Sequence, residues 1–183
     1  RCLDMKAFAT LYSRLDATTS SNAKLAAMRD YFRDADPADA AWAVYFLAGG
    51  RPRQLVPTRV LRETAMQASG LPEWLFEESY QAVGDMAETV SLVWPGERRA
   101  NRPPPLAEIV EALDGVTRPE AQRLVANWLD GLDPTGRWAL LKLITGGLRI
   151  GVSARLAKLA LADFGSVDVT EIEEIWHGLA PPY

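Results

Sequence analysis

The sequence predicts an all-α fold, a single multi-helix domain, on three observations. Apolar residues recur at helical spacing along nearly the whole chain, no segment shows sustained period-2 alternation, and the segments are punctuated by residues that start and stop helices. Length and composition agree, since 183 residues with 48% hydrophobic and 24% charged content suit one globular domain. No apolar run reaches the ~20 residues of a membrane span. The N-terminal RCLDMKAFA lacks the layout of a signal peptide.

The elements follow in order. Met5, Phe8, Leu11, Tyr12 and Leu15 lie on one face of a first helix, so Met5 reads as a start and residues 1–4 as an upstream extension. TTSSNAKLAAMRDYFRDA opens with cap-type residues and continues through Leu25, Met28, Tyr31 and Phe32. Asp36 and Pro37 start a third helix, and Gly49-Gly50 stop it. A short helix ends at Gly70. The segment opened by Pro72 reads as one helix through Trp74, Leu75, Tyr80, Val83, Met86, Ala87, Val90 and Trp94. GERRANRPPP is the clearest loop and divides the chain into two helical groups. LAEIVEALDG is short. Thr117 and Glu120 have the spacing of a capping box, with Pro119 in the first turn. Asp133-Pro134 start the next helix, Ser153 another, and Asp168 with Glu171 the last. The helical domain is expected over residues 5–178, with residues 179–183 beginning a linker.

Composition narrows the chemistry. Cys2 and His177 are single, which argues against a disulfide, a cysteine metal cluster, a two-histidine metal site and a histidine-based triad within the chain. The setting reads as cytoplasmic, and the chain as a monomer. The six tryptophans fall on apolar helical faces, so core packing is their expected role.

The net charge of −4 is unevenly spread. Residues 40–62 contain no Asp or Glu but carry Arg51, Arg53, Arg59 and Arg62. Residues 134–162 likewise contain no acid but carry Arg137, Lys142, Arg149, Arg155 and Lys158. The second window holds KLITGGLRIGVSARL, where Gly146, Gly147 and Gly151 precede a helix start at Ser153. Two readings are open. Glycines let a backbone approach a phosphate, a helix N-terminus offers unpaired N–H groups, and Arg149 and Arg155 add charge. Alternatively, the glycines only shape a helix–helix turn. The acid-free flanks favour the phosphate. AGGRPRQLVPTR repeats the pattern with Arg51, Arg53 and Arg59, and alone it reads better as a solvated basic loop. Two such segments together suggest a shared surface for a polyanion.

These residues also carry a family resemblance. KLITGGLRIGVSARLAKLALADF resembles the most characteristic segment of the N-terminal DNA-binding domain of ATP-dependent DNA ligases, with the tone of the bacterial, non-replicative enzymes. LPEWLFEESYQAVGDMAETVSL, TTSSNAKLAAMRDYF and AAWAVYFLAGGRPRQLVPTRVL support it. The resemblance implies an all-α domain that grips nicked duplex DNA across the minor groove while nucleotidyltransferase and OB-fold domains complete a ring. It implies a parent enzyme that uses ATP and Mg2+ to join a 5′-phosphate to a 3′-hydroxyl in DNA repair, in the bacterial cytoplasm at the nucleoid. The family's adenylated lysine lies in Lys-x-Asp-Gly. None of Lys6, Lys24, Lys142 and Lys158 is followed by that pattern, so the reactive lysine is expected beyond Tyr183. Residue by residue, the resemblance maps DNA contacts onto Gly146, Gly147, Arg149 and Gly151 with Ser153, and onto Lys24, Arg51, Arg53, Thr117 and Arg118. Lys142 and Arg155 flank the same turn. Gly147 stands where many relatives have a basic residue. The other reading of the same basic loops is a helical module that binds an acidic protein partner.

Overall fold

The computed structural model describes residues 4–47, 54–96, 102–148, 152 and 154–165. They form ten helices: α1 Met5–Asp16, α2 Ser21–Asp34, α3 Pro37–Leu47, α4 Thr58–Ser69, α5 Glu73–Val83, α6 Met86–Val93, α7 Leu106–Leu113, α8 Arg118–Asp130, α9 Pro134–Thr145 and α10 Ala154–Gly165. Among the described residues there is no strand, and no helix is long and apolar enough to cross a membrane.

The five apolar residues predicted to share one face of α1 are all buried, as are Ala27, Met28, Tyr31 and Phe32 on α2. Both helices present these stripes to a common core, the arrangement that stabilises an amphipathic helix. α9 is buried on more than one side. Ala139, Leu140, Leu141, Leu143 and Ile144 are each 0% exposed, so this helix is enclosed on most sides. It packs against α1, α6 and α8. Around that axis α2 packs on α1 and α10, α4 on α6 and α8, and α3 on α7 and α10.

The proline-rich loop therefore separates two stretches of sequence that share one core. The loop's near end is fastened as well. The Met5 N–H donates to the Pro104 carbonyl at 2.8 Å, and the Ala107 N–H donates to the Asp39 carboxylate at 2.8 Å. Asp39 thus supplies, from α3, the acceptor that the first turn of α7 lacks, because Pro105 at its N-cap has no side-chain oxygen.

Several predicted starts and stops are present. Asp133 accepts the Gly136 N–H at 2.8 Å, Ser20 accepts from Ala23, and Gly70 ends α4 in the left-handed conformation. α3 begins at Pro37. Asp4, placed by sequence in an upstream extension, caps α1 by accepting the Lys6 N–H at 2.9 Å.

Three expectations are corrected. The single helix predicted over residues 71–94 is two, α5 and α6, broken where Gly84 takes φ +77° and Asp85 caps the next turn. The Thr117–Glu120 capping box does not form. The Thr117 side chain makes no cap hydrogen bond, and Glu120 binds Arg123 through both carboxylate oxygens. Two charge-assisted bonds to one guanidinium replace the single bond that Glu120 would make to a backbone N–H. Finally, Trp74 is 67% exposed in the first turn of α5, a helix that buries only Phe76. Trp94 and Trp128 are buried, Trp138 packs on Tyr12 at 4.6 Å, and Trp42 packs on Tyr45 and Phe46. Ser153, Trp176 and the helix expected from Asp168 lie outside the described residues.

Candidate functional site

The glycine turn that follows α9 is built by a double hydrogen bond. Gly146 has φ +74°, and its N–H donates to Leu143 while the Gly147 N–H donates to Lys142 at 2.9 Å. This pair of bonds is the Schellman closure of a helix C-terminus, which needs a left-handed residue and therefore favours glycine. Both glycine amides are thus occupied by carbonyls of α9. What Gly147 offers a ligand is a backbone without a side chain rather than an N–H donor. A Cβ there would lie 3.3 Å from the Thr145 hydroxyl and 3.4 Å from the Lys142 side chain.

One residue upstream of that last turn, the two acid-free windows meet. The N–H groups of Leu55 and Val56 both donate to the Ile144 carbonyl, at 3.0 and 3.2 Å. The chain leading out of the Arg51–Arg53 run is thereby tied to the helix leading into the Gly146–Gly151 run. Arg51, Arg53, Arg149, Gly151 and Ser153 themselves lie outside the described residues. α4 begins directly after the tie, at Thr58. Its start, together with the turn before α8, borders a half-open cavity of about 290 Å3. Leu55, Pro57, Val60, Leu113, Val116 and Ala121 give it an apolar lining, with Arg59 and Arg118 as its charged side chains. Neither α4 nor α8 has a side-chain cap at its N-terminus. The first-turn amides of both helices therefore retain the partial positive charge of a helix start.

The charged groups around this region are not isolated. Arg118 reaches the Glu63 carboxylate at 2.6 Å, Arg59 approaches the same oxygen at 3.4 Å, and Gln122 donates to the other oxygen at 3.1 Å. Arg62, also from the acid-free window, pairs with Glu77 and Glu73 on α5. Lys142 is only 13% exposed and binds Asp85 at 2.8 Å. Burial would raise the Asp85 pKa, but the Lys142 amine and the N–H groups of Glu88 and Ala87 outweigh it and hold the carboxyl below its usual range. The same acid helps push the Tyr12 phenol up to about 12, where burial is the main cause and Asp16, Asp85 and Glu88 add to it.

The sequence-chosen residues fall into two places. Thr117 and Arg118 stand at the start of α8 beside the α4 cavity, and Gly146 and Gly147 follow α9, whose Ile144 carbonyl is tied to Leu55 of that cavity. Lys24 is half-buried on α2 and Arg155 is exposed on α10, two helices packed against each other. Sequence reasoning missed Glu63 and Asp85. Glu63 stands four residues after Arg59, a visible helical pair, but its tie to Arg118 spans a separation that no local pattern displays.

No curated protein matches the chain. A family model described as "DNA ligase N terminus" matches residues 4–162, which takes in all ten helices except the end of α10. The chain therefore belongs to the family of N-terminal domains of ATP-dependent DNA ligases.

Proposed function

We propose that this domain binds duplex DNA around a nick, without sequence preference, through phosphates along the minor groove. In the parent ligase it would hold the DNA while other domains seal the 5′-phosphate to the 3′-hydroxyl during repair. The observation that carries this reading is the tie from Leu55 and Val56 to Ile144. It supports one continuous surface for two basic, glycine-containing segments that are far apart in sequence. Phosphate binding needs such clustering more than it needs overall positive charge, because affinity comes from local counterion release.

ATP and Mg2+ belong to the parent's chemistry in this reading. None of the chain's four lysines is followed by x-Asp-Gly, so in this reading the adenylated lysine is supplied by another part of the parent.

A gel-shift titration of nicked duplex with the double variant Arg149→Ala, Arg155→Ala tests the assignment. Binding should weaken roughly tenfold or more on every sequence alike, since two phosphate contacts are removed. Undiminished affinity would show that the surface is misassigned. Recovery of an acidic protein partner by a chain that shifts no DNA at low salt would favour the protein-interaction reading instead.

A further inference from the structure

We propose that Glu63 is a built-in competitor for DNA phosphate, a carboxylate that occupies the arginines of this surface until the duplex displaces it. The inference rests on the DNA-binding reading above and specifies how that surface is regulated.

The geometry singles out this carboxylate. One oxygen of Glu63 receives Arg118 at 2.6 Å and Arg59 at 3.4 Å, and the other receives the Gln122 amide at 3.1 Å. The three donors come from two helices, α4 and α8, at whose N-termini no side chain caps the first-turn amides. The cluster lies at the cavity lined by Pro57, Arg59, Val116 and Arg118, and Leu55 joins that cavity to the end of α9. An anion with several acceptor oxygens suits two guanidinium groups and two helix starts better than one carboxylate does.

Burial bears on whether the exchange is feasible. The Glu63 side chain is 32% exposed, Arg118 46% and Arg59 78%. Ion pairs this exposed contribute only about 0–1 kcal/mol, so a phosphate can replace the carboxylate at small cost. Two guanidinium groups share one carboxylate, which leaves a local excess of positive charge to attract the duplex before the exchange. After it, Glu63 retains Gln122 as a hydrogen-bond partner, so the displaced carboxylate is not stranded.

This role differs from that of a strut between α4 and α8 in what it predicts. A strut strengthens the surface, and its loss weakens binding. A competitor opposes binding, and its neutralisation tightens it. Glu63→Gln keeps the size and the hydrogen-bonding capacity toward Gln122 while removing the charge.

The test is fluorescence anisotropy of a nicked duplex at a series of salt concentrations, with wild type, Glu63→Gln, Arg118→Ala and the double variant, each checked by thermal melting. Glu63→Gln should bind about fivefold more tightly at low salt, the factor expected from removing a competing pair of about 1 kcal/mol. Its log–log salt slope should stay within about 0.9 of wild type's, because the duplex reaches the same arginines in both and only the competing carboxylate charge is gone. Arg118→Ala should weaken binding, and the double variant should lose the gain. If Glu63→Gln melts early, Glu63→Asp, one methylene shorter and still charged, should show a smaller gain in the same direction. Unchanged or weaker binding by a folded Glu63 variant, while wild type binds, overturns the competitor role and leaves the DNA-binding reading standing. Absence of binding by every form, wild type included, overturns both.

Discussion

Asp39 is 2% exposed, and its carboxylate accepts the Ala107 N–H across the α3–α7 contact. Burial raises its pKa, Asp36 and Glu111 add to the effect, and the Ala107 hydrogen bond opposes it. Because the folded-state pKa lies above the unfolded value, this group's contribution is fully present below pH ~3.9 and is lost as pH rises through the raised value. Asp39→Asn keeps an acceptor and removes the charge, so its stability at pH 7 should stay within about 1 kcal/mol of wild type. Asp39→Ala leaves the half-buried Ala107 N–H without that acceptor and should cost about 1 kcal/mol in urea unfolding. Asp85 behaves oppositely. Its lowered pKa gives stability that is present above pH ~3.9 and lost as pH falls through the folded value. Asp85→Ala removes both the α6 cap and the Lys142 pair and should cost about 2 kcal/mol at pH 7. Asp85→Asn keeps the cap, so it should cost about half as much and flatten the acid limb. Tyr12 adds a spectroscopic check. Ultraviolet titration should show it ionising near pH 12, and Tyr12→Phe should remove that step.

At the level of elements, the helices were legible wherever a face and its ends were both written locally. α1 shows this with its five buried residues, and α9 with Asp133 at its start and Gly146 at its end. The break between α5 and α6 was written too, but less plainly. Tyr80, Val83, Met86, Ala87 and Val90 keep helical spacing across Gly84, which hides the interruption. The overlooked signal was Gly84 as a stop followed by Asp85 with Glu88 three residues on, a helix start. Gly84→Ala and Gly146→Ala should each cost about 1 kcal/mol or more, because φ values of +77° and +74° are strained for any residue with a Cβ. Gly146→Ala should also disturb the turn into residues 149–153, so it should weaken DNA binding where Gly84→Ala does not. Measuring both properties on both variants separates fold from surface.

Across the whole molecule, what the sequence could not display was pairing between distant elements. The two acid-free windows suggested unopposed positive charge. In the fold Arg62 meets Glu73 and Glu77, and Lys142 meets Asp85. Local charge windows report the charges a segment carries, and the carboxylates that balance them arrive from other helices. Conversely, the bond from Leu55 and Val56 to Ile144 brings together two segments that composition had only hinted were related. Glycine, arginine and helix-start signals marked the surface, and tertiary contacts decide how much of its charge is free. The central claim is that a chain of net charge −4 nonetheless holds duplex DNA by its phosphates. The most direct measurement is the salt dependence of binding to two nicked duplexes of unrelated sequence. Contact with four to six phosphates predicts a log–log slope of roughly −4 to −5, the same for both. A slope near zero, or affinity for only one of the two sequences, would contradict it.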